Sequence, residues 1–164
     1  MTVENDFQCV QLNDGSIIKL WLLDTAGQET FNSITENYYQ QANCCLLVYD
    51  ITSKDSYYKV KSYYAKKIKH DCKNILKVVL LGNKADLKDR RQVSDIEGAN
   101  LALENGYTFM ESSCVDNYNV LDAFTALIEM TNSEIKKSKD IKNDDLKKIK
   151  LNNNATVVKK RKCC

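Results

Sequence analysis

Residues 78–86 read Val-Val-Leu-Leu-Gly-Asn-Lys-Ala-Asp, an apolar run that passes directly into a polar turn. The same change follows Leu20–Leu23, where Asp24 comes next, and Cys44–Tyr49 is a further apolar run of this character. Unbroken apolar runs of this length are typical of strands that are buried on both faces of a parallel sheet. Because the carboxyl ends of such strands meet at one edge, where ligands bind, the polar turns are candidates for one shared site.

The segments between these runs have helical patterns. Ser53 to about Lys69 carries a stripe of apolar side chains four residues apart, and Ser94–Glu97 forms a capping box for a helix that should stop at Gly106. A third, long amphipathic helix is predicted from about Tyr118 to Lys137, and a short strand over Tyr107–Met110. Strands that alternate with helices predict an α/β fold with a mostly parallel sheet and helices on both of its faces.

The N-terminal part of the chain predicts a hairpin. Phe7–Leu12 and Ile17–Leu23 are strand-like, and Asn13-Asp14-Gly15 lies between them. Asp-Gly is suited to a tight turn that needs positive φ angles. Leu20–Leu23 is apolar at every position, which predicts that helices cover both faces of this strand.

Composition places the chain in the ordinary globular class. It has 164 residues, 43% hydrophobic and 28% charged, enough for one domain with a tail. Without a secretory signal, its seven cysteines are expected to be reduced thiols, and Cys44 and Cys45 to be strand packing. We place the domain at residues 1–137 and a flexible basic tail at residues 138–164.

The charges are unevenly distributed. Residues 134–162 carry eleven basic and four acidic side chains, a net charge of +7, whereas residues 1–133 carry a net charge of −5. An acidic body with a basic tail does not predict a nucleic-acid-binding protein. It favours a body that approaches an anionic lipid surface with its tail.

The turn at Asp24-Thr25-Ala26-Gly27-Gln28 offers groups suited to phosphate chemistry. An aspartate at a strand end can hold Mg²⁺ through water, a glycine lets its backbone amide approach a terminal phosphate, and a glutamine can orient an attacking water. An acidic turn without a ligand is the alternative, because Asp and Gly both favour turns.

Asn83-Lys84-Ala85-Asp86 is suited to binding a purine base. The Asp86 carboxylate can accept two parallel N–H bonds from a guanine edge, which adenine cannot supply, and the Lys84 stem can cover one face of the base. Glu111-Ser112-Ser113-Cys114 follows the next strand and can present backbone amides to the guanine oxygen. Each motif alone could be a surface turn, but their order, each at a strand end, indicates a guanine-nucleotide site.

These residues resemble the Ras superfamily and, within it, the Rab family. Asp24–Gln28 and Asn83–Asp86 match two of the family's nucleotide motifs, and Thr2–Phe7 is similar to the end of its first switch. Rab character comes from three further stretches and the terminal Cys163-Cys164. These stretches are Phe31–Thr35, Tyr38-Tyr39 and Leu47–Thr52.

The resemblance implies a Ras-like P-loop NTPase fold and a GTP/GDP-binding switch in vesicle trafficking that hydrolyses GTP. Gln28 would orient the hydrolytic water, and Thr2 and Asp24 would serve the Mg²⁺. The implied nucleotide-binding residues are Asp24, Gly27, Asn83, Lys84, Asp86, Ser113 and Cys114. The implied effector-facing residues are Phe7, Leu23 and Tyr38.

The resemblance also implies membrane attachment. Cys163 and Cys164 would carry prenyl groups, and Lys159–Lys162 would add electrostatic attraction, because two signals make an anchor stable where one is marginal. The implied partners are exchange factors, activating proteins, effectors and the prenylation machinery, with no nucleic acid. The implied location is the cytoplasmic face of intracellular membranes, in exchange with the cytosol.

The chain departs from the family pattern at its start. No Gly-x-x-x-x-Gly-Lys-Ser/Thr motif occurs in the sequence, and the switch threonine is residue 2. The family's first strand, phosphate loop and first helix are therefore expected to be missing, with the sheet split at its centre and GTP hydrolysis poor or absent. Several charge-assisted bonds of about 1.5–3 kcal/mol each would be lost.

Two hypotheses account for this departure. The sequence is an incomplete product of a gene for an ordinary Rab GTPase, since Gln28 and the other downstream motifs are retained. Alternatively, it is a naturally short module that binds membranes or effectors without nucleotide. Smaller departures are Leu23, where the family commonly has tryptophan, and Val115, where it commonly has lysine.

Overall fold

The structure, a computed structural model, describes residues 6–12, 14–24 and 40–153, with side chains for 9–12, 14–24 and 40–139. Its strands are β1 (Asp6–Gln11), β2 (Ile17–Leu22), β3 (Cys44–Asp50), β4 (Lys77–Asn83) and β5 (Thr108–Glu111). Its helices are α1 (Lys54–Lys59), α2 (Ala65–Asp71), α3 (Asp95–Asn105) and α4 (Val120–Asn153). A π-helical segment, Val60–Tyr64, joins α1 to α2, and a 3-10 turn covers Lys88–Arg90.

The described strands form two sheets. β1 and β2 pair antiparallel, with Gln11 opposite Ile17, while β3, β4 and β5 form a parallel sheet in that order. No pairing joins the two sheets among the described residues. The parallel α/β arrangement agrees with the prediction, and so does the expected split between the hairpin and the rest of the strands.

The parallel sheet is covered on both faces because its side chains alternate. Leu47 and Leu80 point to one face, where they pack with side chains of α1, the π-helical segment and α3. Val79 and Leu81 point to the other face and pack against Ala123 and Leu127 of α4. Helices on both faces were predicted from the continuous apolar runs, and this sheet confirms them.

The hairpin corrects two expectations. Gly15 has a φ of +81°, the positive value that the predicted turn requires. The loop is nevertheless longer than a tight two-residue turn, because the Gly15 amide donates to the Leu12 carbonyl and the Leu12 amide donates to the Ser16 carbonyl. In addition, β2 alternates between exposed and half-buried residues, and Trp21 is 60% exposed, so the prediction of two covered faces is wrong for β2.

The predicted cap of α3 is confirmed at both ends. Ser94 and Glu97 form the capping box, each side chain bonding the other's backbone amide. Gly106 adopts the left-handed conformation at the C-terminal end, with a φ of 70°. Only glycine takes this conformation without a steric cost, and the chain can therefore turn directly into β5.

Helix α4 is longer than predicted. It continues to Asn153, beyond the predicted end near Lys137, so residues 138–153 are helical rather than a tail without secondary structure. The physical reason is that these residues include neither glycine nor proline, and lysine and leucine favour helix without burial. By its contacts the chain divides into two units, residues 1–131 and 132–164.

Candidate functional site

The candidate site lies at the carboxyl edge of the parallel sheet. Asp50 ends β3, Asn83 ends β4 and Glu111 ends β5. The register places Asp50 opposite Asn83, and Gly82 opposite Glu111, so the three strand ends are adjacent. Of the three turns that the sequence argument places at one edge, those that follow β4 and β5 meet there, and the turn at Asp24 does not.

The loop after β4 is held by its backbone. The Asn83 carbonyl accepts a hydrogen bond from the Ile51 amide at 3.1 Å, and the Leu87 amide donates to the Lys84 carbonyl at 2.9 Å. Lys84 has a φ of 65°, a conformation that side-chain-bearing residues seldom adopt. Backbone strain of this kind concentrates at binding sites, because only the surrounding structure can maintain it.

The loops after β4 and β5 are joined directly. The Ala85 amide donates to the Ser112 carbonyl at 2.9 Å, and the Ser112 amide donates to the Gly82 carbonyl at 2.9 Å. The Ser112 hydroxyl and the Cys114 thiol both donate to Oδ1 of Asn83, at 3.3 Å and 3.7 Å. Oδ1 of Asn83 is thus used within the two loops, and no hydrogen bond from the side-chain nitrogen of Asn83 occurs in the described part of the chain.

Ser113 and Cys114 have different roles in the second loop. Ser113 is 1% exposed and exchanges two backbone hydrogen bonds with Tyr118, and its hydroxyl accepts from the Asp116 amide at 3.1 Å. Its polar groups are thus used to shape the turn. Cys114 is exposed, and no hydrogen bond in the described part of the chain uses its amide. The Cys114 amide, rather than Ser113, is available to a ligand.

An ion pair crosses the edge of the sheet. Nζ of Lys84 lies 2.6 Å from Oδ2 of Asp50, and Oδ1 of Asp50 accepts hydrogen bonds from the amide and hydroxyl of Thr52. Burial raises the pKa of the Asp50 carboxyl, but the bonds from Lys84 and Thr52 outweigh burial and hold that pKa below its ordinary value. The hydrogen bond to Asp50 raises the pKa of Lys84. Lys84 therefore extends across the strand ends as a cation.

A second charged pair braces the loop after β5. Arg91 binds Glu111 in two places, with nitrogen–oxygen distances of 2.6 Å and 2.8 Å, and also donates to the Val93 carbonyl. The Asn119 side chain donates to the Glu111 carbonyl at 2.9 Å. Two parallel bonds fix both the position and the orientation of the carboxylate. The bonds from Arg91 therefore connect the segment after Asp86 to Glu111, the residue directly before the Ser112–Cys114 loop.

Sequence reasoning missed Asp50 and Arg91. Asp50 could have been found, since it follows an apolar run in the same way as Asn83 and Asp24. Arg91 has no such signal: it is twenty residues from Glu111, and only the pairing of β4 with β5 brings the two side chains together.

The structure brings together only part of the predicted site. Asp24 and Leu23 follow β2 in the separate hairpin sheet, and no hydrogen bond or ion pair joins Asp24 to the other two loops within the described ranges. Phe7 lies in β1 opposite Trp21, but its side chain is not described. The remaining predicted residues lie outside the described part of the chain. They are Thr2, Gly27, Gln28, Tyr38, Cys163 and Cys164.

Two features are absent from the described residues. No three histidine, cysteine or acidic side chains in that part of the chain converge as a metal site. No helix within the same ranges is long and apolar enough to cross a membrane.

The sheet and its two joined loops define the class of the protein. A parallel sheet with helices on both faces and polar loops at its carboxyl edge is the arrangement of nucleotide-binding α/β proteins. The comparisons with known proteins narrow this class. The family model described as "Ras family" matches residues 1–133.

Individual proteins with similar sequences also belong to this family by their names. The chain is 40% identical to the GTP-binding protein ypt2 of Schizosaccharomyces pombe, over 99% of its own length and 80% of that protein. It is 42% identical to the Ras-related protein Rab-8A of Bos taurus and of Rattus norvegicus, over 77% of its own length. It spans 61% of each Rab-8A chain. The chain belongs to the Rab branch of the Ras family of small GTPases.

Proposed function

We propose that this chain carries the base-binding half of a guanine-nucleotide switch that acts in vesicle trafficking. The observation that supports this most directly is the pair of hydrogen-bonded loops, Asn83–Asp86 and Ser112–Cys114, at one edge of the parallel sheet. In this proposal Asp86 accepts two N–H bonds from guanine, the Lys84 stem covers the ring, and the amide of Cys114 donates to the guanine oxygen. The Asn83 side chain connects the two loops through the hydrogen bonds that it accepts from Ser112 and Cys114.

The hydrogen-bond acceptor and donor that these loops offer match the edge of a guanine base and not that of an adenine base. Asp86 is half-buried and follows Lys84 by two residues in the loop after β4. A half-buried carboxylate is satisfied by two donors, which only the guanine edge supplies. The exposed Cys114 amide is a donor, which matches the guanine oxygen and not the amino group of adenine.

Phosphate chemistry would fall to residues around Asp24. In the proposal Asp24 and Thr2 serve the Mg²⁺ ion, the Gly27 amide faces the terminal phosphate, and Gln28 orients water for hydrolysis. Mg²⁺ would supply positive charge to the phosphates. Because the sequence contains no Gly-x-x-x-x-Gly-Lys-Ser/Thr motif, we expect these 164 residues to bind nucleotide weakly.

The C-terminal residues would attach the protein to membranes. We propose that Cys163 and Cys164 are prenylated, that the domain covers residues 1–137, and that the residues after it form a basic extension. Regulators, effectors and the prenylation machinery of the Rab kind would be the protein partners, with Phe7, Leu23 and Tyr38 on the effector side. The protein would then act at the cytoplasmic face of intracellular membranes and exchange with the cytosol.

Nucleotide binding can be tested by completing the pocket. A segment of a Ras-family protein that carries the Gly-x-x-x-x-Gly-Lys-Ser/Thr motif is fused before residue 1, and binding of fluorescent GDP, GTP and ATP is measured for both chains. We expect the fusion to bind GDP and GTP at least a thousandfold more tightly than ATP and than the 164-residue chain does, about 4 kcal/mol. A fusion that binds ATP as well as GDP would contradict the proposal.

Base recognition is tested by Asp86→Asn in the same fusion. An amide replaces one of the two carboxylate oxygens by an N–H donor, so guanine loses one of its two bonds and its amino group faces a donor, whereas xanthine, with a carbonyl in place of the amino group, gains a partner. We expect at least a hundredfold loss of GDP affinity and a gain of affinity for xanthosine diphosphate, about 3 kcal/mol in each direction. Asp89→Asn, an exposed change a few residues away, is the control and should leave both affinities unchanged.

A further inference from the structure

The segment that contains α1, the π-helical segment and α2 differs in charge from the rest of the first unit. Residues 54–73 contain seven lysines and two aspartates, a net charge of +5. The other residues of 1–133 contain six basic and sixteen acidic side chains, a net charge of −10. More than half of the basic side chains in this part of the chain are thus concentrated in twenty residues.

These helices bury one face and expose the other. Tyr57, Val60 and Cys72 are each 3% exposed and belong to the core side of the segment. Four lysines of the segment are exposed, three of them within the π-helical segment and α2 and one in the turn that follows α2. They are Lys61, Lys66, Lys69 and Lys73. We call this exposed side the basic face.

Within the part of the chain that the structure describes, no ion pair involves any of the four lysines of the basic face, although the exposed Asp71 lies two residues from both Lys69 and Lys73 in the sequence. Lys54, by contrast, is bound to Glu97 and is not part of the face. The positive charge of the face is therefore directed at solvent and not used to hold the fold.

Aromatic side chains lie among the lysines. Tyr58 is 55% exposed and Tyr63 is 45% exposed, although both rings also contact a neighbouring tyrosine. A tyrosine has an apolar ring and a polar hydroxyl, which suits the boundary between lipid headgroups and acyl chains. Exposed lysines attract anionic headgroups, and exposed tyrosines close to them in the sequence can lie at the headgroup level.

We propose that the basic face of residues 58–73 is a docking surface for an anionic lipid bilayer. The choice of lipid over an acidic protein or RNA rests on the proposed C-terminal anchor, which would hold the first unit close to a bilayer. Charge complementarity is the second reason. The rest of residues 1–133 has a net charge of −10 and is repelled by anionic headgroups. Only the basic face can therefore be turned toward such headgroups.

The test uses the full chain with Cys163→Ser and Cys164→Ser, so that no lipid anchor can form. Co-sedimentation is measured with phosphatidylcholine vesicles and with phosphatidylcholine vesicles that contain phosphatidylserine. We expect binding only to the anionic vesicles, and a decrease as the salt concentration rises. Changing Lys61, Lys66, Lys69 and Lys73 together to Gln should weaken binding at least tenfold, since each lysine near an anionic surface contributes about fivefold.

Three controls separate the basic face from other sources of charge. The same four positions changed to Arg should bind as the parent does. Changing Lys136, Lys137, Lys139 and Lys142 to Gln removes equal charge from α4, and should weaken binding less than threefold. Neutralising Lys159–Lys162 should leave salt-sensitive binding that the basic-face change then abolishes. Circular dichroism of each variant checks that the fold is retained.

Several results would overturn the proposal. They are equal binding to neutral vesicles, no binding to anionic vesicles, and unchanged vesicle binding by the basic-face variant. A basic-face variant that loses affinity for an RNA oligonucleotide or a polyglutamate peptide, while its vesicle binding is unchanged, would assign the face to that partner instead. None of these measurements involves prenylation or nucleotide, so failure here is distinct from failure of the proposed function.

Discussion

Arg91 illustrates how one side chain can hold two loops of a site in place. Its guanidinium is about a quarter exposed, and the Glu111 carboxylate is 19% exposed, so water competes only partly with their two bonds. A planar, forked donor matches a carboxylate in a way that a lysine ammonium does not. We therefore infer that the Ser112–Cys114 loop depends on arginine at this position, and not on positive charge alone.

Replacing Arg91 by Lys tests this inference. Lysine keeps the charge but makes one bond in place of the bidentate pair, so we expect a loss of about 1–2 kcal/mol in the free energy of unfolding by urea. Amide hydrogen exchange at Ser112 and Ser113, whose amides are hydrogen-bonded, should also become faster. Arg90→Lys, a neighbouring exposed position, is the control. If Arg91→Lys changed stability no more than Arg90→Lys does, the inferred bracing would be wrong.

Gly98 is a second residue whose role depends on its neighbours. It lies inside α3, where alanine normally stabilises a helix by about 1 kcal/mol over glycine. Here a Cβ atom would overlap the Tyr49 hydroxyl and lie 2.5 Å from Cε2 of Phe109. Both rings belong to the core, so neither can move aside without disturbing its packing.

Gly98→Ala should therefore destabilise the protein, by about 1–3 kcal/mol in urea unfolding, because overpacking outweighs the gain in helix propensity. Asn100→Ala, on the exposed side of the same helix, should instead be neutral or stabilising by about 0.5 kcal/mol. Opposite signs for the two changes are the expected result. If Gly98→Ala stabilised the protein, the Tyr49 and Phe109 rings would be able to shift at little cost, and the prediction would be wrong.

At the level of elements, the N-terminus of α3 depends on charge as well as on hydrogen bonds. Glu97 accepts from Lys54 of α1 and from the backbone and hydroxyl of Ser94. The bond from Lys54, followed by those from Ser94, lowers the pKa of Glu97 from 4.5 to about 2. The capping box thus links α3 to α1 only while the carboxylate is ionised.

The pH dependence of unfolding should reveal this link. Because the pKa of Glu97 is lower in the folded than in the unfolded chain, its contribution is fully present above pH 4.5 and is lost as the pH falls toward 2. Glu97→Gln should flatten the decline of the unfolding midpoint across that interval, compared with Glu104→Gln on the same helix. An unchanged slope in the Glu97 variant would contradict the assignment.

At the level of the whole molecule, the buried core lies within the first unit. Among the residues whose side chains the structure describes, the last buried one is Thr131, and both core clusters end by Met130. The part of α4 beyond this point, which carries most of the basic charge of the C-terminal residues, belongs to the second unit. The stability of the first unit should therefore not depend on it.

Truncation after residue 139 tests this division. We expect the shortened chain to unfold in urea with the same midpoint and the same dependence on denaturant, because the buried apolar area is unchanged. The free energy of unfolding should differ by less than about 0.5 kcal/mol. A control truncation after residue 126 removes Leu127 and Ile128, which are buried, and should prevent folding. A marked loss in the first truncation would place core contacts beyond residue 139.

The sequence by itself determined the strands, the capping box of α3, the family and two of the three polar loops of the site. These features are local, because apolar runs, caps and turn residues act through neighbours a few positions away. The longer hairpin loop, the continuation of α4 and the exposure of Trp21 could not be predicted, since they depend on what covers each element.

Only the tertiary structure decided which charged groups meet. The register of β3, β4 and β5 places Asp50 against Lys84, and Arg91 against Glu111, although these partners are far apart in the chain. The same packing turns four lysines of residues 58–73 toward solvent and leaves Asp24 on a separate sheet. The residue type determines whether a side chain can carry charge, donate or accept a hydrogen bond. Which side chains from distant parts of the chain come within a few ångströms of each other is determined by the packing of the sheet and its helices.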